Sequence, residues 1–303
     1  MVEVPVLYTH TDFDGVVSAV LVTSGDDVSE VRFAEPDDIQ QKRIDILKGA
    51  IIADLPFHHN AGKWFDHHAS SAGAKAVDGR FDATAKSAGR VILDYYENPY
   101  LDKKFGALVD ACDKIDSASF TEEDIRSPSG YYLLSFALDA DDTASDAMNF
   151  RRWLIEAIKK NSLEQLLQMP EVKSRVDKVM ARRERMAAEL ERFTTVHGRV
   201  CVIDGRELPA EFSGGGTKFL SYLLHPQCIA SVKIRKGRLE GNTDFSMGEN
   251  IFFPERGKLD LGAIARKHGG GGHRAAAGFR VPEALADSIL AEVVAEINAF
   301  PLA

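Results

Sequence analysis

The chain has 303 residues, 45% of them hydrophobic and 27% charged, which is enough for one or two globular domains with real cores. A net charge of −9 argues against a long basic track for duplex nucleic acid and favours a small or short anionic substrate. Three cysteines without a CxxC pair exclude a disulfide framework and a zinc–thiolate site, and read as small buried hydrophobes.

No apolar run reaches the ~18–20 residues of a membrane span, and the first five residues lack a basic signal-peptide start. A cytoplasmic protein with no membrane partner is expected. Residues 4–8 read as a buried strand. A polar loop follows, His10-Thr11-Asp12-Phe13-Asp14-Gly15, and then a helical pattern over residues 16–23. Residues 49–53 are a second strand, closed by Asp54-Leu55-Pro56. Residues 63–65 are a third, closed by Asp66-His67-His68. Residues 85–96 and 103–112 read as helices. This alternation predicts an α/β fold with a largely parallel sheet covered on both faces. Ligands of such sheets bind beyond the carboxyl ends of the strands, where these polar clusters stand.

Residues 146–193 read as charged helix. The part from 171 to 195 has a narrow apolar stripe and should connect two domains, 1–170 and 196–303. Its basic residues form either a solvated face or a nucleic-acid patch. Beyond Gly198, strands are expected at 199–204, 228–234 and 238–242, with an amphipathic helix at 282–300. Two glycine-rich pieces punctuate this half, Ser213-Gly214-Gly215-Gly216-Thr217-Lys218 and Gly269-Gly270-Gly271-Gly272-His273.

In His10-Thr11-Asp12-Phe13-Asp14, three potential ligands alternate at i, i+2 and i+4. An extended segment would place them on one side. A helix cap would account for Asp14 but not for His10 and Asp12. Asp54 is either a turn residue or a ligand. Asp66, His67 and His68 cannot all be core, and carboxylate plus imidazole is a ligand set that Mn, Fe and Zn accept. Asp110, Asp113 and Asp116 lie three apart on a helix end, where like charges repel unless a cation intervenes or the turn is exposed. Oxygen and nitrogen donors without thiolate predict a hard to borderline cation, Mn²⁺ first and Mg²⁺ or Co²⁺ next. The carboxylates suffice for two cations sharing one Asp, a device that activates water for phosphoester hydrolysis without a Ser or Cys nucleophile. In the second half, glycines let backbone N–H groups approach an anion, and His273 and Arg274 add cationic donors. Lys218 is either a second anion contact or part of a surface turn.

His10-Thr-Asp12-Phe-Asp14-Gly15, Asp54, Asp66-His67-His68 and the acidic segment 110–116 resemble motifs I to IV of the DHH phosphoesterase superfamily. The run Gly269-Gly270-Gly271-Gly272-His273-Arg274-Ala275-Ala276-Ala277-Gly278 resembles the signature of the associated DHHA1 domain. The resemblance spans nearly the whole chain. It implies an N-terminal DHH metal-binding catalytic domain, a helical connector and a smaller mixed α/β DHHA1 substrate-binding domain. It also implies that His10 and Asp12 hold one divalent cation, that Asp14, His67 and Asp113 hold the other, and that Asp54 bridges them. Asp116 rivals Asp113. His68 would stand near the scissile phosphate, and Gly270, Gly271, Gly272, His273 and Arg274 would bind substrate. The family also allows a homodimer.

One departure bears on the substrate. Nanoribonuclease-like and pAp-phosphatase-like members carry an Arg in a strand before the glycine run, and here residues 244–250 have none. Asn250, Arg256, Lys233 and Arg235 are candidate substitutes. The expected activity is hydrolysis of a phosphate ester in a small nucleotide: a short oligonucleotide, a dinucleotide or pAp. The alternatives are a single-strand-specific exonuclease, an exopolyphosphatase or pyrophosphatase, and a non-catalytic nucleotide sensor, against which the full ligand set argues.

Overall fold

The N-terminal apolar run forms strand Val6–His10 (β1), with Leu7, Tyr8 and Thr9 buried. It passes almost directly into helix Phe13–Gly25 (α1), which is buried continuously from Phe13 to Val22, as befits a helix central to its layer. Gly15 permits the tight junction, because a Cβ there would lie 2.0 Å from the His10 carbonyl oxygen. The chain continues through Glu30–Ala34 (β2), Pro36–Gln40 (α2), Ala50–Ala53 (β3), Ala61–Asp66 (β4), Asp78–Phe81 (β5), Ala88–Tyr96 (α3) and Pro99–Asp116 (α4). In this computed structural model, residues 4–68, 71, 73, 77–140, 143–208, 219–237 and 239–301 are described.

The five strands form one parallel sheet in the order β2-β1-β3-β4-β5. Winding reverses between β1 and β3, so the carboxyl ends of these strands flank a topological switch point. Helix α1 packs against α3, α4 and Ala144–Lys160 (α7, after Glu122–Arg126, α5, and Gly130–Ser135, α6). The other face is covered by α2 and by irregular chain, through Ile39, Ile46, Leu55 and Phe57 packed on Tyr8, Ile52 and Trp64. Strands β2 and β5 are absent from the sequence reading. Both are sheet edges with little burial, so neither shows an apolar run or a clear alternation.

After Leu163–Gln168 (α8), helix Pro170–Leu190 (α9) carries the chain out of the first compact unit, which ends at Asp177. The second unit comprises Phe120–Ser127 and Lys178–Ala303. Arg182 and Arg183 on α9 are buried rather than on a solvated or nucleic-acid-facing side, and the Arg183 guanidinium donates to the Ile125 carbonyl. The second unit holds Thr194–His197 (β6), Val200–Asp204 (β7), Leu220–Leu224 (α10), Ala230–Lys236 (β8), Asn242–Glu249 (β9), Leu261–Lys267 (α11), Gly271–Gly272 (β10), Ala276–Pro282 (β11) and Ala286–Asn298 (α12). Its six-stranded mixed sheet has the order β10-β11-β9-β8-β7-β6. Val202, Val232, Ile234, Phe245, Met247 and Phe279 are part of its core.

Of the expected strand at 238–242, residue 238 lies outside the described residues and 239–241 form a turn, with Gly241 at φ +74° and the Gly237 amide donating to the Asn242 carbonyl. The strand is β9 instead, and its buried Thr243, Phe245, Met247 and Glu249 alternate with period two. The piece Ser213–Lys218 lies outside the described residues. Among the described residues no helix is long and apolar enough to cross a membrane.

Candidate metal centre

The polar clusters converge at the carboxyl ends of β1, β3 and β4. Asp12 is the N-cap of α1: its Oδ1 accepts from the Gly15 amide at 2.9 Å. The cap is therefore Asp12 rather than Asp14, which sits buried inside the first turn. The Asp14 carboxylate accepts from the Ala88 and Gly89 amides at 2.7 and 2.8 Å, so the first N–H groups of α3 hold it from behind. Asp54 follows β3 in the left-handed region at φ +56°, a conformation that Asp tolerates better than most residues. Asp66 closes β4. Its Oδ1 accepts from the His67 and His68 amides at 2.8 and 3.2 Å and from His68 Nδ1 at 2.8 Å.

Three sets of donors lie close enough to share a cation: His10, Asp12 and Asp54; Asp54, His67 and His68; and Asp14, His67 and Asp116. His10 Nδ1 is 3.0 Å from Asp12 and 3.6 Å from Asp54. His67 Nε2 is 3.4 Å from Asp116, 3.6 Å from Asp14 and 3.9 Å from Asp54. Its other ring nitrogen, Nδ1, lies 3.3 Å from the Ala85 carbonyl, which places a proton there and the lone pair at Nε2. Among the described residues His67 Nε2, Asp54 Oδ2 and Asp66 Oδ2 are buried without a hydrogen-bond partner. Orphaned buried acceptors are costly. Asp54 Oδ2 and His67 Nε2 are the atoms a cation between these groups would take up, so the donor set fits a divalent metal.

The electrostatics agree. Burial, then the charges of Asp14 and Asp12, push Asp54 well above the usual carboxylate range. Burial and Asp12 likewise raise Asp14. Asp116 is pushed up to about 8 by burial and then by Asp14 and Asp12. Asp12 escapes: burial opposes its ionisation, but the hydrogen bond from His10 holds it at about 2. Burial also opposes a charge on His10, yet Asp12, Asp54 and Glu35 drive its pKa up. Four carboxylates gathered here cannot all ionise without cations. Cys112, whose thiol donates to Asp14 at 3.3 Å, is buried and pushed far from thiolate.

Of the acidic segment 110–116, it is Asp116 that reaches the cluster. Asp113, the expected ligand, faces another way: it accepts from Ser87 Oγ at 2.6 Å and from Arg90 Nε at 2.9 Å. Ser87 is the N-cap of α3, so Asp113 braces the helix end that holds Asp14. Two further residues carry no motif signal. Glu35, which precedes α2, lies 3.2 Å from His10 Nε2 and accepts from Thr11 Oγ1 at 2.5 Å. Buried Arg151 on α7 donates to the Thr11 carbonyl at 2.5 Å and steadies the loop. Both partners are distant in sequence, which is why local spacing misses them.

In the second unit, residues 271–274 are exposed. The Gly269, Gly270 and His273 amides donate to the carbonyls of Arg266, Ala265 and Ala276. The Arg274 guanidinium donates to the carbonyls of Gly257 and Lys258 at 3.1 and 2.7 Å. The glycines are needed for packing: a Cβ on Gly270 would lie 2.2 Å from the Gly278 carbonyl oxygen, and one on Gly272 2.6 Å from that of Ala276. Asn250 is buried with its amide donating to the Cys228 carbonyl, so it is not a substitute for the missing Arg.

No family model matches the chain, and no curated protein does. Solved structures do. The pGpG-specific phosphodiesterase PggH of Vibrio cholerae is 29% identical with a TM-score of 0.80, over 97% of this chain and 99% of that one. The DHH domain of a protein described as a member of a ribosomal-protein family is 14% identical with a TM-score of 0.65, over 99% and 88%. RecJ of Thermus thermophilus in complex with Mn²⁺ is 16% identical with a TM-score of 0.54, over 97% of this chain and 52% of that one. The chain's structural neighbours are thus DHH-domain proteins, and its fold is that of the two-domain DHH/DHHA1 phosphoesterase superfamily.

Proposed function

We propose that the chain is a metal-dependent phosphodiesterase of small nucleotides, with a linear dinucleotide as the preferred substrate. One observation carries this reading: carboxylates and imidazoles from three strand ends converge on Asp54, whose Oδ2 is buried without a hydrogen-bond partner among the described residues. The likeness to a pGpG-specific phosphodiesterase along almost the full length of both chains supports the substrate class. The acidic net charge favours a short substrate over a polymer.

In this reading His10, Asp12 and Asp54 hold one cation, and Asp14, His67, Asp116 and the shared Asp54 hold another, with Mn²⁺ the preferred metal. Bound cations there would neutralise phosphoryl charge and lower the pKa of water. Asp66 fixes His68 through Nδ1 and, despite partial burial, raises its pKa. His68 is then placed to pass a proton from Nε2 to the leaving oxygen. Residues Gly270, Gly271, Gly272, His273 and Arg274 are the substrate-binding element. Within it two backbone amides and the Arg274 guanidinium are engaged at 2.7 to 3.1 Å, and His273 is exposed.

The test is a substrate panel in Mn²⁺: pGpG, pApA, cyclic di-AMP, pAp, pyrophosphate and a long single-stranded DNA. Linear dinucleotides should be cleaved to mononucleotides fastest. Faster degradation of the long DNA would overturn the preference for short substrates. No turnover of any compound, with undiminished nucleotide binding, would overturn the enzyme reading.

A further inference from the structure

The mixed sheet of the second unit has two faces of different character. Val232 and Ile234 of β8 point into the core, so Ser231, Lys233 and Arg235 alternate onto the other side. Across β9, Lys233 stands opposite Ser246 and Arg235 opposite Asp244. Across β11, Gly278 stands opposite Ser246 and Arg280 opposite Asp244. Three cations therefore share this patch with one acid.

The acid is already engaged. Arg280 Nε lies 2.5 Å from Asp244, and Arg235 Nε reaches it at only 3.9 Å. Lys233 is half-buried and its side chain makes no hydrogen bond or ion pair among the described residues. Its stem runs along Gly205, where a Cβ would sit 3.8 Å from Lys233 Cε. Burial, then repulsion from Arg235, pushes its pKa down. A half-buried ammonium with no counter-charge among the described residues favours an anionic ligand. Gly278 and Ser246 beside it are small, so the face in front of it is shallow enough for a ligand.

We propose that Lys233, with Arg235 and Ser246, forms an oxyanion site on this sheet face that takes a phosphate group of a nucleotide. Lys233 supplies the point charge, Arg235 the planar donor and Ser246 a hydroxyl. The choice of a nucleotide phosphate over other oxyanions rests on the phosphoesterase reading, whereas the existence of the site does not. The site lies apart in sequence from the glycine run, and it supplies a cation where residues 244–250 lack one.

The test uses the full chain and the variants Lys233→Met, Lys233→Arg and, as a control on the same strand, Lys236→Met. GMP, inorganic phosphate and guanosine are titrated calorimetrically into chelator-treated protein whose fold is verified by circular dichroism. Wild type and Lys236→Met should bind GMP more tightly than guanosine. Lys233→Met should weaken GMP about tenfold or more and Lys233→Arg much less, as expected when one charge-assisted contact is lost. With Mn²⁺ and a dinucleotide, Lys233→Met should raise KM more than it lowers kcat.

Inorganic phosphate binding as tightly as GMP would reassign the ligand to a free oxyanion and overturn the nucleotide assignment. Equal binding of GMP by wild type and Lys233→Met, or guanosine binding as tightly as GMP, would overturn the site. Should no phosphate ester be turned over while GMP binding still depends on Lys233, the enzyme reading falls and the site stands.

Discussion

The first unit presents buried acids at strand ends, and the second presents exposed glycines and cations on a loop and a sheet face. The acids are held rigidly yet electrostatically unresolved: α3 amides grip Asp14, Asp113 braces α3, and Asp54 Oδ2 has no hydrogen-bond partner among the described residues. The glycine run is the reverse, with the Gly269, Gly270 and His273 amides satisfied locally and Gly270 and Gly272 required by close backbone packing. The difference teaches where binding free energy originates. In the proposed reading the acidic cluster is preorganised, at the expense of stability, for the cations it would receive. The glycine run is built for its own fold, so affinity in the second unit must come chiefly from side chains.

The largest expected effect tests the first half of that contrast. Asp54→Asn keeps a residue that tolerates the left-handed backbone but removes the buried charge. Hydrolysis should fall at least a thousandfold, on the order of ~4 kcal/mol in transition-state stabilisation, while the metal-free protein melts higher. Steady-state kinetics and calorimetry read the two. A metal-free melting temperature that falls would break the idea of an electrostatically strained site.

Next in size is the exchange between Asp116 and Asp113. Asp116→Asn should lower activity about a hundredfold by weakening metal binding. Asp113→Asn should act mainly on stability, by about 1–3 kcal/mol, through the loosened Ser87 and Arg90 contacts. Metal titration followed by manganese electron paramagnetic resonance separates them. A greater loss of metal affinity in Asp113→Asn than in Asp116→Asn would reverse the assignment.

These two residues also mark how far the sequence is legible. Parallel strands β1, β3 and β4 are readable because each is an apolar run that stops at a polar cluster. The convergence of those clusters follows from the topology such runs imply. The choice between Asp113 and Asp116 is not readable, because i and i+3 share a helix face and only the packing angle of α4 decides which reaches the site. Glu35 and Arg151 are invisible for a different reason: each meets the motif I loop across more than twenty residues of intervening chain. Strand β9 is readable in principle. Its alternation of Thr243, Phe245, Met247 and Glu249 is masked by polar Asp244 and Ser246 on the other side of the strand.

Glu35 gives the next prediction. Its carboxylate accepts from His10 Nε2, which orients the ring so that Nδ1 faces Asp12 and Asp54. Glu35→Ala should weaken Mn²⁺ binding about tenfold, with Glu35→Gln intermediate, as when a carboxylate behind a ligating histidine is lost. Equal metal affinity in all three proteins would remove Glu35 from the site.

A pH prediction follows from the raised carboxylates. In the folded, metal-free chain Asp14 and Asp54 lie above their usual range and Asp116 at about 8. Between the ordinary value near 3.8 and about 8 the native state therefore holds more protons than the unfolded chain, so stability falls as pH rises through that window. Asp116 stands at the rim with its side chain 27% exposed, so buried Asp14 and Asp54 should supply most of the slope. Melting curves of chelated protein should show the decline, and added Mn²⁺ should raise the melting temperature more at pH 8 than at pH 6. A flat profile would mean that the acids are not coupled to folding.

The smallest effect probes the glycine run. Gly270→Ala would drive a methyl into the Gly278 carbonyl and should cost stability outright. Gly271→Ala is different, because nothing lies within 4 Å of its Cβ and its φ is not positive. The fold should accept it with a change in stability of about 0.5 kcal/mol or less. If substrate approaches this backbone closely, KM rises several-fold while the melting temperature stays put. If KM is unchanged while His273→Ala raises it, side chains rather than backbone approach make the contact, and the contrast between the two units is sharpened.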